Sequence, residues 1–222
     1  MKITAISNTF SFFGNFSKII TKQEQIKSAF EGYEVAVAQE QMPNGMPAPA
    51  YRIKHQNVGL TIRPFRIDIE KGVLDTEDAY QSFIDHVKST IEKLDTLGVL
   101  MANRIAYSCV EFIENENNET VKKLNGLFSV GNVFEEADEF SLRLNSVKQI
   151  GFEKINSIVQ IQDGVVTNNN TKEQKKVVFV NKDINTVVQN QVVRFSLNKA
   201  FALLEDLIAE ANNKTEQLIS KL

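Results

Sequence analysis

Apolar and polar residues alternate with a period of two along much of the chain, as in strands that bury one face. The alternation is clearest in residues 33–39, 51–56, 58–72, 140–149 and 153–164. Residues 2–9 predict a further strand, and residues 164–180 predict a hairpin with a long tip at 167–176. Residues 185–195 are expected to extend the last strand. The chain is therefore rich in strands that each have one apolar side.

Two proline-bearing stretches interrupt this pattern. The apolar phase slips by one residue at Arg63 and Pro64, which predicts a β-bulge on an open sheet edge that could pair with another chain. Residues 40–50 hold three prolines and predict a hairpin tip or loop without regular structure. Met42 and Met46 in this segment could form a soft contact surface, and a plain connecting loop is the simpler interpretation.

A three- and four-residue apolar spacing predicts helices. The longest runs over residues 75–97, where Asp75 or Thr76 can cap it, and a second long helix begins after Ser196. Thr21 with Glu24 forms a capping-box pattern before a short helix, and residues 119–127 predict another.

The stretch "LGVLMANRIAYSCVEF", residues 97–112, is apolar on both faces and predicts a central, buried strand. Asn103 and Arg104 interrupt it and are expected to point to opposite faces. Arg104 has two interpretations. It could anchor an anion or a peptide carboxylate, or it could belong to a satisfied buried pair that fastens a neighbouring element. The second is the simpler expectation.

Strands followed by a long helix occur twice, which predicts an α+β fold. We expect an antiparallel, bulged β-sheet, or more than one, with two long amphipathic helices packed on one face. Residues 1–222 are expected to form a single domain, with two similar halves over 1–128 and 129–222.

Composition narrows the classes of partner. The chain carries 25 basic and 28 acidic residues, a net charge of −3, so no basic excess favours nucleic acid. No apolar run has the length of a transmembrane helix, and a membrane partner is not expected. The single cysteine, Cys109, excludes an intramolecular disulfide and fits a cytoplasmic location.

Catalytic and metal-binding patterns are hard to find in this sequence. His55 and His86 have no second ligand at a metal-binding spacing, and Cys109 lies on a strand predicted to be buried. Neither a glycine-rich phosphate loop nor a nucleophile elbow occurs. We expect no metal, no cofactor and no catalytic residue, although a carboxylate pair assembled by folding would leave no local pattern.

The segment around Gly98, Asn103, Arg104 and Ile105 resembles the helix–glycine–strand "GLRYINRI" signature of a sporadically distributed family of bacterial proteins. The resemblance implies a bacterial protein and no particular activity, because none is established for that family. The order of elements is also similar to export chaperones of the SecB type, in which a curved antiparallel sheet with a long helix behind it binds other proteins.

The sequence therefore favours a non-enzymatic protein-binding or assembly module that is dimeric or has a protein partner. Its candidate binding residues are Arg104, Asn103, Tyr107, Met42 and Met46. A subunit of a phage-derived or defence assembly would share these properties. The alternative is an enzyme or small-ligand binder with a pocket between sheet and helices near Arg104, using Tyr107 or His55.

Overall fold

A computed structural model describes residues 3–41, 45–72, 79–128, 139–168 and 171–221. Ten strands of these ranges form one antiparallel sheet, and helices pack beside it, so the predicted α+β class is confirmed. The strands are β1 Ile3–Gly14, β2 Glu34–Gln41, β3 Pro47–His55, β4 Val58–Ile62, β5 Arg66–Gly72, β6 Met101–Glu114, β7 Ser141–Ile150, β8 Glu153–Thr167, β9 Gln174–Thr186 and β10 Phe195–Ser196.

The strands follow the order β2-β3-β4-β5-β1-β6-β9-β8-β7, and the short β10 pairs with the start of β6. The long strand β6 lies between β1 and β9, which confirms its predicted central place. β2 and β7 are the two terminal strands of this path. The sheet joins strands from both halves of the chain through the β6–β9 pair.

Six α-helices lie within the described ranges: α1 Ser17–Ile20, α2 Gln23–Ala29, α3 Ala79–Asp95, α4 Glu119–Phe128, α5 Leu197–Phe201 and α6 Leu204–Ile219. The predicted start of α3, with Asp75 and Thr76, lies outside the described residues. α2 does not use the predicted cap, because the Thr21 hydroxyl donates to the Lys18 carbonyl and Lys22 precedes the helix.

One face of the sheet packs against these helices. Buried side chains at alternate positions of the inner strands, among them Phe10, Ile69, Ile105 and Ile184, join apolar residues of α3, α5 and α6 in one cluster. A second cluster at the other end of β6 includes Ile113, Val180 and α4. The alternate positions on the opposite face have no helix of the described ranges packed on them, and this side is called the uncovered face below.

The phase slip at Arg63 and Pro64 is a hairpin turn and not the predicted bulge. The Arg63 amide donates to the Arg66 carbonyl at 2.8 Å, and β4 pairs directly with β5. Pro64 pre-sets the backbone angle of this turn, because its ring fixes φ. The segment lies inside the strand order, so the open edge expected near Pro64 is also wrong.

Regular structure extends into the proline-rich segment, contrary to prediction. Pro47 and Pro49 belong to β3, where they lie opposite Gln41 and Gln39 of β2. β4 pairs with β3 only from Tyr51 onward, so this part of β3 has a neighbour on one side. Prolines fit there because no second strand requires their missing amide hydrogens.

The C-terminal region differs from its prediction in two places. β9 ends at Thr186, and residues 187–194 form a loop instead of extending the strand. Ser196 does cap the following helix, since its Oγ accepts from the Lys199 amide, but the helix is broken between Phe201 and Leu204 into α5 and α6.

Candidate binding site

A polar trough of about 600 Å³ runs across the uncovered face of the sheet. Side chains of β5, β1, β6, β9, β8 and β7 form it: Ser11, Phe13, Arg66, Arg104, Ala106, Ser108, Arg143, Asn145, Asn156, Ile158, Gln160, Asn181, Asp183 and Asn185. The alternation of each strand places these residues on one side and the apolar core on the other. The trough is thus a product of strand periodicity.

Side-chain amides are the commonest group in the trough. Asn156 Nδ2 donates to Asn185 Oδ1 at 3.2 Å across the β8–β9 pair, and Gln160 Nε2 donates to Gln162 Oε1 at 2.9 Å. An amide group offers two donors and an oxygen acceptor, so one internal bond leaves capacity on both residues. These strands therefore present donors and acceptors together, as a polypeptide backbone does.

Arg104 lies at one end of this trough. Its guanidinium carbon stands 3.7 Å from the centre of the Phe13 ring, and its Nε is buried without a hydrogen-bond partner. Within the described ranges no carboxylate lies within ion-pair distance of it. Burial lowers the pKa of Arg104, while the charge of Asp183 acts in the opposite direction. The satisfied buried pair expected for Arg104 is not what the structure contains.

A bulge in β6 gives Arg104 its position. Phe13 lies opposite Arg104 and Gly14 lies opposite Ala102, so Asn103 is an extra residue in β6. Asn103 and Arg104 consequently line the same hollow, although regular alternation predicts opposite faces. Gly14 permits this approach, since a Cβ there would lie 2.5 Å from the Met101 carbonyl oxygen.

That hollow adjoins the trough and has a different character. It encloses about 430 Å³ and shares Phe13 and Arg104 with the trough. Phe65, Val193 and Gln191 form its outer wall, and the Phe65 side chain is half exposed. Arg104 therefore separates an amide-rich space from one with apolar walls.

The loop of residues 187–194 is held in place at the hollow by Arg194. This guanidinium forms a bidentate pair with Glu153, with nitrogen–oxygen distances of 2.8–3.1 Å, and also donates to the Asn103 carbonyl. Asn103 Nδ2 donates to Gln191 Oε1 at 3.1 Å. Asn103 thus joins the bulge to the loop, which is a positioning role.

The charges in the trough do not all cancel. Arg66 is paired, because its Nε donates to Asp68 Oδ1 at 2.6 Å. Asp68 also accepts from Arg63, whose hydrogen bond to Glu40 lowers the pKa of that carboxyl. Arg104 and Arg143 have no ion pair in the described part of the chain, and Asp183 is the acid that lines the trough with them. Arg104 and Arg143 against Asp183 therefore leave one positive charge in excess in the trough, in a chain whose net charge is −3.

The remaining candidate residues lie elsewhere. Tyr107 points into the core, where its hydroxyl donates to Asn8 Oδ1 at 2.7 Å and burial raises its pKa. Met46 is exposed before β3, separated from β6 by β4, β5 and β1, and Met42 lies outside the described residues. The structure therefore brings together Asn103 and Arg104 only.

The other groups considered for chemistry are also dispersed. His55 is exposed at the end of β3, with its ring 5.1 Å from the Tyr33 ring. His86 is largely buried on α3, and burial lowers its pKa to about 4. Burial raises the pKa of the Cys109 thiol to about 11. The two hollows that contain Arg104 lie on the uncovered face, and not between sheet and helices as expected.

The described residues show no metal centre and no membrane-spanning helix. They contain no group of three or more histidine, cysteine or acidic side chains arranged for a metal ion. None of their helices combines the length and the apolar content that crossing a bilayer requires.

Sequence reasoning missed most of the trough. Phe13, Arg66 and Asp183 were not predicted as site residues, and neither were the amides of β7, β8 and β9. One signal was present: several polar positions of these strands hold asparagine, a residue that is depleted in strands. The pairing of Phe13 with Arg104 gave no sequence signal, because 91 residues separate them along the chain (104 − 13).

Comparison with known proteins adds little to this geometry. No family model and no curated protein matches the chain. A solved structure, the di-domain ARO/CYC StfQ from the steffimycin biosynthetic pathway, aligns over 96% of this chain and 96% of its own, with 7% identity and a TM-score of 0.21. That score is too low to show a shared fold, so no property of StfQ is carried over.

Proposed function

We propose that this chain is a non-enzymatic binding module that holds an extended segment of a partner protein along the polar trough. The observation that carries the proposal is the uncovered trough itself, with its amide-rich strands and the unpaired Arg104 at one end. Side-chain amides can bond both to the N–H and to the C=O of a passing backbone. A fixed carboxylate-and-base arrangement, as an enzyme would need, has no counterpart in the described part of the trough.

The charge of the trough favours an acidic partner segment. Arg104 and Arg143 attract carboxylates. Because the chain as a whole is negatively charged, this local positive charge directs an acidic segment to the trough. Nucleic acid is the weaker candidate, since phosphate binding draws on many cations and this trough has few.

An array of capped 15-residue peptides, of acidic, neutral and basic composition, tests the proposal. Ser108→Phe fills the middle of the trough, and Ser89→Phe on the exposed side of α3 is the matched control. We expect acidic peptides to bind the unmodified chain and Ser89→Phe, and to lose binding to Ser108→Phe. Equal binding by both variants would contradict the proposal, as would an array without any bound peptide.

Self-association in the cytoplasm of a bacterium belongs to the same proposal. β2 and β7 end the sheet, and terminal strands offer backbone groups to a second copy. Light scattering should then give twice the 25.0 kDa mass of one chain, and a mass of one chain would refute the dimer.

A second candidate function rests on a different cleft. About 310 Å³ of mostly apolar space lies between β7, β8 and α6, and the Ser146 hydroxyl in its wall is buried without a partner among the described residues. This arrangement suits a small amphipathic ligand. Binding of a fluorescent fatty acid that is abolished by Val159→Trp, and unaffected by Ser108→Phe, would favour it over the trough.

A further inference from the structure

We infer that Arg104 recognises the side-chain carboxylate of an internal aspartate or glutamate in the partner segment, with an apolar side chain two residues away seated against Phe65 and Val193. The inference rests on the proposed function and names the chemistry that the site would select. It is carried by the geometry around Arg104, where two hollows of different polarity meet.

Arg104 is prepared for an anion. Its guanidinium is oriented by the Phe13 ring at 3.7 Å, and a second arginine, Arg66, lies 5.1 Å from the same ring. Stacking fixes the plane of the fork without using its N–H groups. Arg66 is already paired with Asp68, so Arg104 is the guanidinium at this end that has no ion pair among the described residues.

The guanidinium of Arg104 favours a carboxylate as its hydrogen-bond acceptor. Its Nε is closed to solvent, so a ligand would meet the two terminal nitrogens, for which the described residues provide no hydrogen-bond acceptor. A carboxylate provides two oxygens in the plane of the guanidinium and can accept from both terminal nitrogens at once. A neutral amide provides one oxygen and no charge.

The position of Arg104 distinguishes an internal carboxylate from a chain terminus. The trough continues on one side of Arg104 and the apolar-walled hollow on the other, and both contain Arg104 and Phe13. A segment bound there can pass through in both directions. In an extended chain, side chains two residues apart point the same way, about 7 Å from each other. The carboxylate and the apolar side chain can therefore face Arg104 and Phe65 together.

Three fluorescein-labelled nonapeptides of serine and threonine test this inference. The first has a central glutamate, a leucine two residues later and capped ends. The second replaces the glutamate by glutamine. The third keeps the glutamine and has a free C-terminal carboxylate. We expect the first peptide to bind at least about tenfold more tightly than the other two, which corresponds to 1.4 kcal/mol.

The protein variant Arg104→Met should reduce affinity for the glutamate peptide by about tenfold and leave the glutamine peptide unchanged. Lys88→Met, which removes an exposed charge from α3 on the covered side of the sheet, controls for net charge. Unfolding curves of both variants control for folding. Phe65→Ser should weaken binding of the leucine peptide and leave the binding of a peptide with serine in place of leucine unchanged.

Several outcomes would overturn the inference. Equal affinities of the glutamate and glutamine peptides would exclude carboxylate recognition. If the third peptide bound more tightly than the first, Arg104 would recognise a C-terminal carboxylate and not an internal one. An equal loss of affinity in Lys88→Met would show that the effect comes from the net charge of the chain and not from Arg104. If array peptides still require an open trough while charge at the central position has no effect, the inference fails and the proposed function stands.

Discussion

The substitution Lys182→Met should destabilise the fold more than any change in the trough. Lys182 Nζ lies 2.8 Å from Glu111 Oε1, and these side chains are 0% and 3% exposed. Tyr80 and Thr215 also donate hydroxyl hydrogens to Glu111, each at 2.9 Å. The cluster therefore connects β6 and β9 with α3 and α6, beneath the sheet's covered face.

The magnitude follows from what remains after the substitution. Methionine fills the space of the lysine stem but leaves the Glu111 carboxylate buried with two neutral donors. Removing one partner of a buried ion pair costs about 3–5 kcal/mol, because the other charge stays uncompensated. Glu111→Gln in the same chain removes that charge and keeps an oxygen acceptor for one of the two hydroxyls, while its amide N–H can donate to the other. The double variant should recover about half of the loss, roughly 1.5–2.5 kcal/mol. The coupling energy is this recovery plus the loss that Glu111→Gln causes alone.

Equilibrium urea unfolding, followed by circular dichroism, measures these values, since the chain has no tryptophan. The exposed substitution Lys88→Met is the control and should change stability by less than about 0.5 kcal/mol. A loss below about 1 kcal/mol for Lys182→Met would refute the reasoning that this pair is a desolvated charge cluster. Additive single and double variants would refute the coupling between Lys182 and Glu111.

Three further predictions concern other parts of the chain. Burial lowers the pKa of His86 to about 4, so the unfolded chain binds a proton at this residue more readily than the folded chain does. The free energy of unfolding should therefore fall as the pH drops from 6.5 towards 4. His86→Gln should make the urea midpoint change less between pH 6.5 and 5, and an unchanged pH dependence would exclude His86 as its source. Gly14→Ala places a Cβ 2.5 Å from the Met101 carbonyl oxygen and should lower the free energy of unfolding by about 1–3 kcal/mol. Urea unfolding measures the loss, and Gly126→Ala is the comparison, because a Cβ at Gly126 has no atom within 4 Å. Replacing residues 168–173 by Asn-Gly should leave the thermal midpoint nearly unchanged, because this tip joins paired strands at Thr167 and Gln174, and a large drop would mean that the tip packs elsewhere.

Local patterns were sufficient for most elements of this fold. Strand alternation predicted β2, β7 and β8 closely, and the three- and four-residue spacing predicted α3. These patterns succeed because burial of one face fixes the residue period directly. The same information cannot say which strands are neighbours, so the placement of β1 between β5 and β6 was beyond it.

The cluster of Lys182 and Glu111 shows where local reasoning had an unused signal. Both residues stand at positions whose strand neighbours two residues away are buried, Val180 and Ile184 for Lys182. A charge in the apolar phase of a strand indicates a buried partner, since isolated burial is too costly. The partner's identity still required the fold, because β6 and β9 are far apart in sequence.

The alternation of apolar residues slips by one position at two places in the chain, and the two slips have different structural outcomes. At Arg63 and Pro64 the slip is a turn, because proline suits the second position of a turn and the following strand folds back on β4. At Asn103 and Arg104 there is no proline, both flanking segments stay paired with β1, and the slip is a bulge. That bulge turns Ala102 into the core and takes Asn103 out of it, so a polar residue is moved to the uncovered face beside Arg104. A regular β6 would instead bury Asn103 against the helices and leave Ala102 in the hollow. The interruption first noticed in the sequence is thus how the chain keeps its core apolar and places two polar side chains where a ligand can reach them.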